Sequence, residues 1–296
     1  MMEPFHSPFY APALIAVRGG HFAAEGFDVT LLTAVPGRGA VDALLDGSID
    51  LAVSGLMRSF GLIDTGGPPI VHFAAVNDRN GFFLLSREPR PRFTWPDLVG
   101  RAVISFGGAP TPYHCMLSVL RRHGVDPAGV SFIRDLQMPE AVAAFRTGRA
   151  DFLECGPPLV DRLVAEGAGH LVASMGDATG PVPFSSLMTM PDRLARDRAD
   201  LVRLVRAFHR AQRWIAEASP EAMAAVVAPA FTDIEPPLLA RILARYRAQA
   251  TWPTSPLLDR PGYERLQEIL LAGGFMTRRH PFELLVDTDI ASEALA

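Results

Sequence analysis

Two periods of hydrophobic and polar positions alternate along the first two thirds of the chain. Short continuous apolar runs, bounded by glycine, proline or polar clusters, predict buried strands at 27–34 (FDVTLLTA), 50–53, 69–76 (PIVHFAAV), 81–86, 102–106, 130–134 and 151–154. Between them a helical period recurs at 40–45, 113–123 and 139–147, and Pro36-Gly37 is placed to stop the first strand. The proline- and arginine-rich stretch 87–96 reads as a connector. Beyond Pro183 the pattern changes, and 197–218, 220–228, 237–249 and 262–271 all suit amphipathic helices. The pattern predicts an α/β protein with a helical C-terminal part.

One internal similarity sharpens this picture. Residues 40–55 (AVDALLDGSIDLAVSG) and 141–156 (AVAAFRTGRADFLECG) align without gaps and share six of sixteen positions. Both spell helix, glycine stop, short buried strand and polar loop. The repeat predicts two similar lobes, with loops at the carboxyl ends of their strands, where open α/β sheets take ligands.

Composition narrows the chemistry. The chain has 296 residues, 49% hydrophobic and 20% charged, with a formal charge of −4, which excludes disorder and gives no electrostatic footprint for nucleic acid. All 28 basic residues are arginine, so neither a lysine Schiff base nor a lysine phosphate loop is possible. Cys115 and Cys155 are the only cysteines, too few for a disulfide framework or a cysteine-rich zinc site, and the histidines show no metal-ligand spacing. No cofactor and no metal are expected. The apolar stretch 8–17 lacks a basic flank, is interrupted by prolines and runs into Arg18-Gly19-Gly20, so it reads as the start of a folded helix rather than a signal peptide.

The opening stretch 8–32, PFYAPALIAVRGGHFAAEGFDVTLL, resembles the aromatic-Pro helix and "G-x-F-x-x-x-G-x-D-V" opening of the nitrate/sulfonate/taurine-type and thiamine-precursor-type substrate-binding proteins of ABC transporters. The strand-loop 49–55, the run 95–105 (WPDLVGRAVIS), Ala150-Asp151 and 183–189 are similar to further landmarks of that family. The resemblance implies a type II periplasmic-binding-protein-like fold with two crossing segments, at 81–86 and 183–189. It implies lobe 1 at 1–80 with 185–296, lobe 2 at 81–184, and a small polar organic solute held in an interlobe cleft. The partners implied are ABC permease subunits, with the protein acting as a monomer. It is expected to be periplasmic or membrane-anchored if a leader precedes this sequence, and cytoplasmic if Met1 is the genuine start. The thiamine pyrimidine synthase of the same superfamily is argued against, because Ser54 and Arg58 stand where it carries lysine and histidine, and 180–185 contains no cysteine.

On this frame the candidate ligand-binding residues are Ser7, Phe9, Tyr10, Arg38, Ser54, Gly55, Arg58, Gly108, Thr111, Tyr113, Glu154 and Phe184, with no catalytic residue. Phe9, Tyr10, Tyr113 and Phe184 are expected to sandwich the ligand. Ser54, Thr111 (as helix cap) and Glu154 are expected to supply directional hydrogen bonds. Glu154 ends an apolar strand and must find a partner: an arginine, or an amino group on the ligand. In thiamine-precursor binders an acidic residue falls here, which implies an aminopyrimidine edge. Arg38 or Arg58 facing the ligand would instead favour a sulfonate or carboxylate. The alternative from another class is a cytoplasmic enzyme on the same scaffold, acting on an aromatic or heterocyclic acid, with Cys115, Cys155 and His114 as its reagents. His72, inside an apolar strand, reads as a satisfied core residue.

Overall fold

The computed structural model describes residues 1–35 and 37–296; Pro36, the expected strand stop, lies outside the described residues. Ten strands occur in chain order: β1 (Met2–Glu3), β2 (Leu32–Thr33), β3 (Ala52–Ser54), β4 (Val71–Asn77), β5 (Phe83–Ser86), β6 (Ala102–Ile104), β7 (Ser131–Ile133), β8 (Phe152–Cys155), β9 (His170–Ser174) and β10 (Ser185–Thr189). The helices of the first two thirds are α1 (Ala11–Arg18), α2 (Ala40–Leu45), α3 (Leu56–Asp64), α4 (Pro110–Arg122), α5 (Met138–Arg146), α6 (Leu159–Ala165) and α7 (Met175–Thr179). The rest are α8 (Pro191–Arg196), α9 (Arg198–Glu217), α10 (Pro220–Val227), α11 (Pro236–Ala248), α12 (Arg260–Ala272), α13 (Phe282–Leu285) and α14 (Asp289–Leu295).

The chain divides into two units. Unit 1 comprises Met1–Arg79, Val182–Gln267 and Met276–Ala296; unit 2 comprises Asn80–Pro181 and Glu268–Phe275. Unit 1 holds a five-stranded sheet in the order β2-β1-β3-β10-β4, in which only β10 runs against its neighbours. Unit 2 repeats the scheme as β7-β6-β8-β5-β9, with β5 as the reversed strand. In each sheet the reversed strand is the first element after a passage from the other unit: β10 where the chain returns to unit 1 at Val182, and β5 where it enters unit 2 at Asn80. The segments 81–86 and 183–189, expected to be the crossings, are therefore mainly these strands, and the passage between units precedes them.

The sequence repeat is a structural one. α2 and β3 correspond to α5 and β8, and each helix is stopped by a glycine in the left-handed region, Gly47 at φ 73° and Gly148 at φ 79°. Only glycine takes that conformation without a Cβ penalty, so the chain reverses there and feeds the buried strand. In α9 the residues Leu201, Leu204, Val205, Phe208, Ala211 and Ile215 are buried at helical spacing, while Arg203, Arg206 and Arg213 are exposed. Inside the unit 1 core His72 lies 2.7 Å from Ser59 Oγ through Nε2 and 2.6 Å from Ser186 Oγ through Nδ1; burial pushes its pKa down to about 3, so it is a neutral core residue.

Three expectations are corrected. The strand at 27–34 shrinks to Leu32–Thr33, because its partner β1 is only two residues long and the ladder ends with Leu32 N donating to Met1 O and Ala34 N to Glu3 O. The helix expected at 113–123 begins at Pro110: prolines 110 and 112 fall in the first turn, where a missing N–H breaks no helical bond. Glu268–Phe275, expected in lobe 1, clusters with unit 2, since Phe275 packs on His114 of α4 at 5.7 Å between ring centres.

Candidate functional site

Each unit offers polar groups at the carboxyl edge of its sheet. In unit 1 that edge is marked by Thr33 on β2, Glu3 on β1, Ser54 on β3, Asn77 on β4 and Ser185, the first residue of the reversed β10. The Glu3 carboxylate is buried; its Oε1 accepts from Thr33 Oγ1 at 2.9 Å and lies 2.8 Å from His6 Nδ1. His6 Nε2 lies 2.8 Å from the Ala230 carbonyl, which can only accept, so that nitrogen carries a proton and a second proton is shared with Glu3. Burial raises the Glu3 pKa; burial would lower that of His6, but its bonds to Glu3 and Ala230 hold it raised.

Ser7 caps the short turn Pro8–Tyr10, accepting from Phe9 N at 3.2 Å. Phe9 is 3% exposed, and its ring meets Tyr10, Phe184 and Tyr246 at 5.1, 5.8 and 5.8 Å. The Phe9 carbonyl accepts from Trp252 Nε1 at 2.9 Å and Asn77 Nδ2 at 3.2 Å. Tyr10 is also buried; burial, then the charge of Glu3, raise its pKa, while the charge of Arg58 opposes them. The hydroxyls of Tyr10 and Ser54 make no hydrogen bond to a described residue, and Arg58 is exposed with no ion pair among them. Gly55 opens α3, where a Cβ would lie 3.0 Å from the Phe184 carbonyl and 2.8 Å from Met57 Sδ, so the bare backbone is required. Unit 1 thus brings Phe9, Tyr10 and Phe184 into contact, with the Arg58 charge reaching Tyr10, but not Arg38. The Arg38 guanidinium is committed to Asp46 and Ser48, each at 2.5 Å, beyond the end of α2.

In unit 2 the loops after β6, β7 and β8 form the corresponding edge. Glu154 is fully buried; its Oε2 accepts from Ser105 Oγ at 2.7 Å and Phe106 N at 3.1 Å, while Oε1 has no partner. No arginine pairs with it among the described residues, and burial raises its pKa. Thr111 is not the cap of α4, a position held by Ala109; it lies in the first turn, 4% exposed, with its hydroxyl making no bond to a described residue. Gly107 allows the Arg134 carbonyl to within 2.5 Å of where a Cβ would stand, and Gly108 packs against the Phe106 ring. Tyr113 has one face covered: the Arg134 guanidinium lies 3.7 Å from its ring centre, which leaves that face closed to a ligand ring.

The thiolate–imidazole pair required by the enzyme alternative is not formed. Cys115 and Cys155 are fully buried, burial pushes the Cys115 pKa up to about 12 and raises that of Cys155, and His114 Nδ1 has no partner. Burial, then the charges of Arg134 and Arg121, push His114 down to about 4. A chromogenic disulfide reagent should therefore titrate no thiol in the native protein and both after unfolding; one fast-reacting native thiol would restore the nucleophile. Among the described residues no group of three His, Cys, Asp or Glu side chains could hold a metal, and no helix is long and apolar enough to cross a membrane. Surface pockets of about 440 and 510 Å3 in unit 1, one beside Met1, Asp50 and Arg193 and one between α10 and α11, involve none of the candidate residues.

Glu3, Ser105 and Arg134 were missed in the sequence. Arg134 directly follows a strand, as the noticed Gly107-Gly108 turn nearly does; that shared position was the available signal.

The family model of the NMT1-like family matches residues 9–230. The chain belongs to the NMT1-like family. It is 28% identical over 293 residues, 98% of this chain and 88% of the relative, to the "Putative binding protein YtlA" of Bacillus subtilis strain 168. Its fold is similar to that of the alkanesulfonate-binding protein SsuA from Xanthomonas axonopodis pv. citri bound to MOPS, with a TM-score of 0.75 at 17% identity, covering 97% of this chain and 98% of that one. It is also similar in fold to the desulfurization enzyme DSZB, with a TM-score of 0.71 at 17% identity over 100% of this chain and 98% of that one. The architecture is the two-sheet α/β fold of periplasmic binding proteins, and one fold carries both binders and an enzyme, so function rests on the site.

Proposed function

We propose that this protein is the solute-binding component of an ABC importer, taking up a small polar organic solute with Glu154 of unit 2 as its recognition group. The reading implies permease subunits as partners and a periplasmic or membrane-anchored location. Membership of the NMT1-like family and the likeness to binding proteins support the class. The observation that carries the ligand chemistry is Glu154: a buried carboxyl without a counter-cation, one oxygen saturated and the other empty. Such an atom is costly unless a donor fills it, and the donor that fits is an N–H of the ligand. Arg38 is tied to Asp46, while Arg58 keeps its charge near Tyr10 without an ion pair among the described residues, so the N–H-rich heterocycle of aminopyrimidine type rests on Glu154 alone and an anionic solute is the outcome the test must exclude.

Thermal unfolding of the full chain with 4-aminopyrimidine, 4-amino-2-methylpyrimidine, ethanesulfonate and nitrate tests this. A pyrimidine at about 100 times its Kd should stabilise the protein by about 2.7 kcal/mol, a shift of several degrees. Stabilisation by ethanesulfonate alone would reverse the ligand assignment, and no shift with any of the four would remove its support.

A further inference from the structure

His6 joins the end of β1 to the connection that follows α10, and each of its ring nitrogens has a different partner. Nδ1 lies 2.8 Å from Glu3 Oε1; Nε2 lies 2.8 Å from the Ala230 carbonyl, 224 positions away in the chain. The carbonyl only accepts, so Nε2 must keep its proton. The short contact of Nδ1 with Oε1 is then a bond only while the pair holds one further proton, on the ring or on the carboxyl. Once that proton is gone, the Nδ1 lone pair faces a carboxylate oxygen and the contact turns repulsive.

The surroundings favour the protonated pair. Glu3 is 3% exposed, and its Oε1 also accepts from Thr33 Oγ1 on the neighbouring β2 at 2.9 Å. The His6 ring is stacked on Phe231, with 4.4 Å between centres and 21° between planes, against a face that attracts positive charge. Burial disfavours the charge on His6, but its bonds to Glu3 and Ala230 and the charges of Glu3 and Asp233 outweigh it; burial raises the Glu3 pKa. Both shifts hold a proton more tightly in the folded chain than in the unfolded one. Asp233, just beyond Phe231, is the further acid acting on His6, while Thr33 and Phe231 carry no charge. Tyr10 feels the Glu3 charge, and Arg58 of α3 acts on Tyr10 without figuring among the influences on Glu3 or His6. The His6 side chain is 42% exposed, so protons exchange with solvent directly.

We propose that Glu3 and His6 form a proton-operated latch, which fastens the segment 4–7 to the turn Ala228–Ala230 and opens when the pair loses its shared proton. Closed, the pair is neutral overall. Open, it leaves one negative charge at the carboxyl edge of unit 1, close enough for Tyr10 to feel it. Phe9 stays anchored through its carbonyl by Trp252 and Asn77, so the opening concerns 4–7 and 228–231. The latch goes beyond the solute-binding reading and holds whatever the solute. Its direction follows from linkage. The stability contributed by His6 is fully present below about pH 6.5, the ordinary histidine value, and is lost as pH rises through the higher folded one. The raised Glu3 pKa works in the same direction, from the ordinary glutamate range upward.

Histidine side-chain NMR of the full chain, following the ring nitrogens from pH 5 to pH 10, tests the latch. In the wild type His6 should hold both ring protons at pH 6 and lose the Nδ1 proton with a midpoint above about 6.5. The backbone amides of 4–7 and 228–231 should shift with that same midpoint. In E3Q the midpoint should fall back towards the ordinary value. Urea unfolding measures the energy: relative to the non-titrating double variant E3Q/H6F, the wild-type unfolding constant should rise by roughly 5-fold between pH 6 and pH 9, the worth of one modest hydrogen bond. A His6 midpoint at or below the ordinary value overturns the inference, as does an E3Q midpoint equal to that of the wild type. Titration of His6 that leaves 228–231 unmoved also overturns it, since the pair would then fasten nothing. If the double variant does not fold, the wild-type and E3Q titrations decide.

Discussion

Replacing Glu154 with glutamine should make the ligand-free protein more stable and, in the same step, weaken capture of N–H-donating solutes. The amide is isosteric: its oxygen can take the place of Oε2 and keep the bonds from Ser105 and Phe106. What changes is the other atom: an NH2 donor replaces Oε1, which is an acceptor in the ionised form that a ligand N–H would stabilise. A ligand N–H would then face a donor, and affinity should fall by about 10- to 100-fold. Stability moves the other way, because burial raises the Glu154 pKa and the folded state disfavours the ionised form. The sign follows from linkage. In acid both states hold the proton and the variants are equally stable. As pH rises through the ordinary glutamate range, the unfolded chain ionises first and wild-type stability falls relative to E154Q. At neutral pH the sign is therefore a gain for E154Q, reduced because the buried NH2 is itself unpaired. Urea unfolding at pH 4 and pH 7, beside titration with 4-aminopyrimidine, measures both effects. A variant destabilised at pH 7 with unchanged affinity would make Glu154 a structural residue and end its role in recognition.

What the sequence revealed, and what it hid, divides along a physical line. The repeat 40–55 and 141–156 was legible because helix period, a left-handed glycine and a buried strand are all local demands on the chain. The C-terminal helices were legible for the same reason, each carrying its buried face at helical spacing. The length of β2 was not, because a strand extends only as far as its neighbour, and β1 offers two residues. Glu154 was found as a carboxyl in need of a partner, but whether that partner is an arginine, a hydroxyl or nothing is a tertiary matter. Arg38 and Arg134 look alike in sequence; one is tied to Asp46 and the other is stacked on Tyr113 with its donors unspent. Glu268–Phe275 reads as part of the C-terminal helices, and only packing on α4 assigns it to unit 2.

Adjacent Phe9 and Tyr10 were expected to share one role as ligand walls, and they should separate in the laboratory. Phe9 is enclosed by the rings of Tyr10, Phe184 and Tyr246, so F9A should cost about 3–5 kcal/mol in urea unfolding, the usual loss for a buried phenylalanine. The loop itself should remain in place, since the bonds from Trp252 and Asn77 go to the Phe9 backbone carbonyl, which alanine retains. Tyr10 is different. Its ring also packs, at 5.3 Å from Phe5 and 5.1 Å from Phe9, and phenylalanine preserves that packing. The hydroxyl alone is lost in Y10F, and it has no hydrogen-bond partner among the described residues. Stability should therefore change by less than about 0.5 kcal/mol. If that hydroxyl serves the solute, affinity should drop by roughly 5- to 10-fold, the worth of one neutral hydrogen bond. The converse pattern, a stable F9A with weakened binding beside an unimpaired Y10F, would make the Phe9 ring the ligand wall and Tyr10 a packing residue.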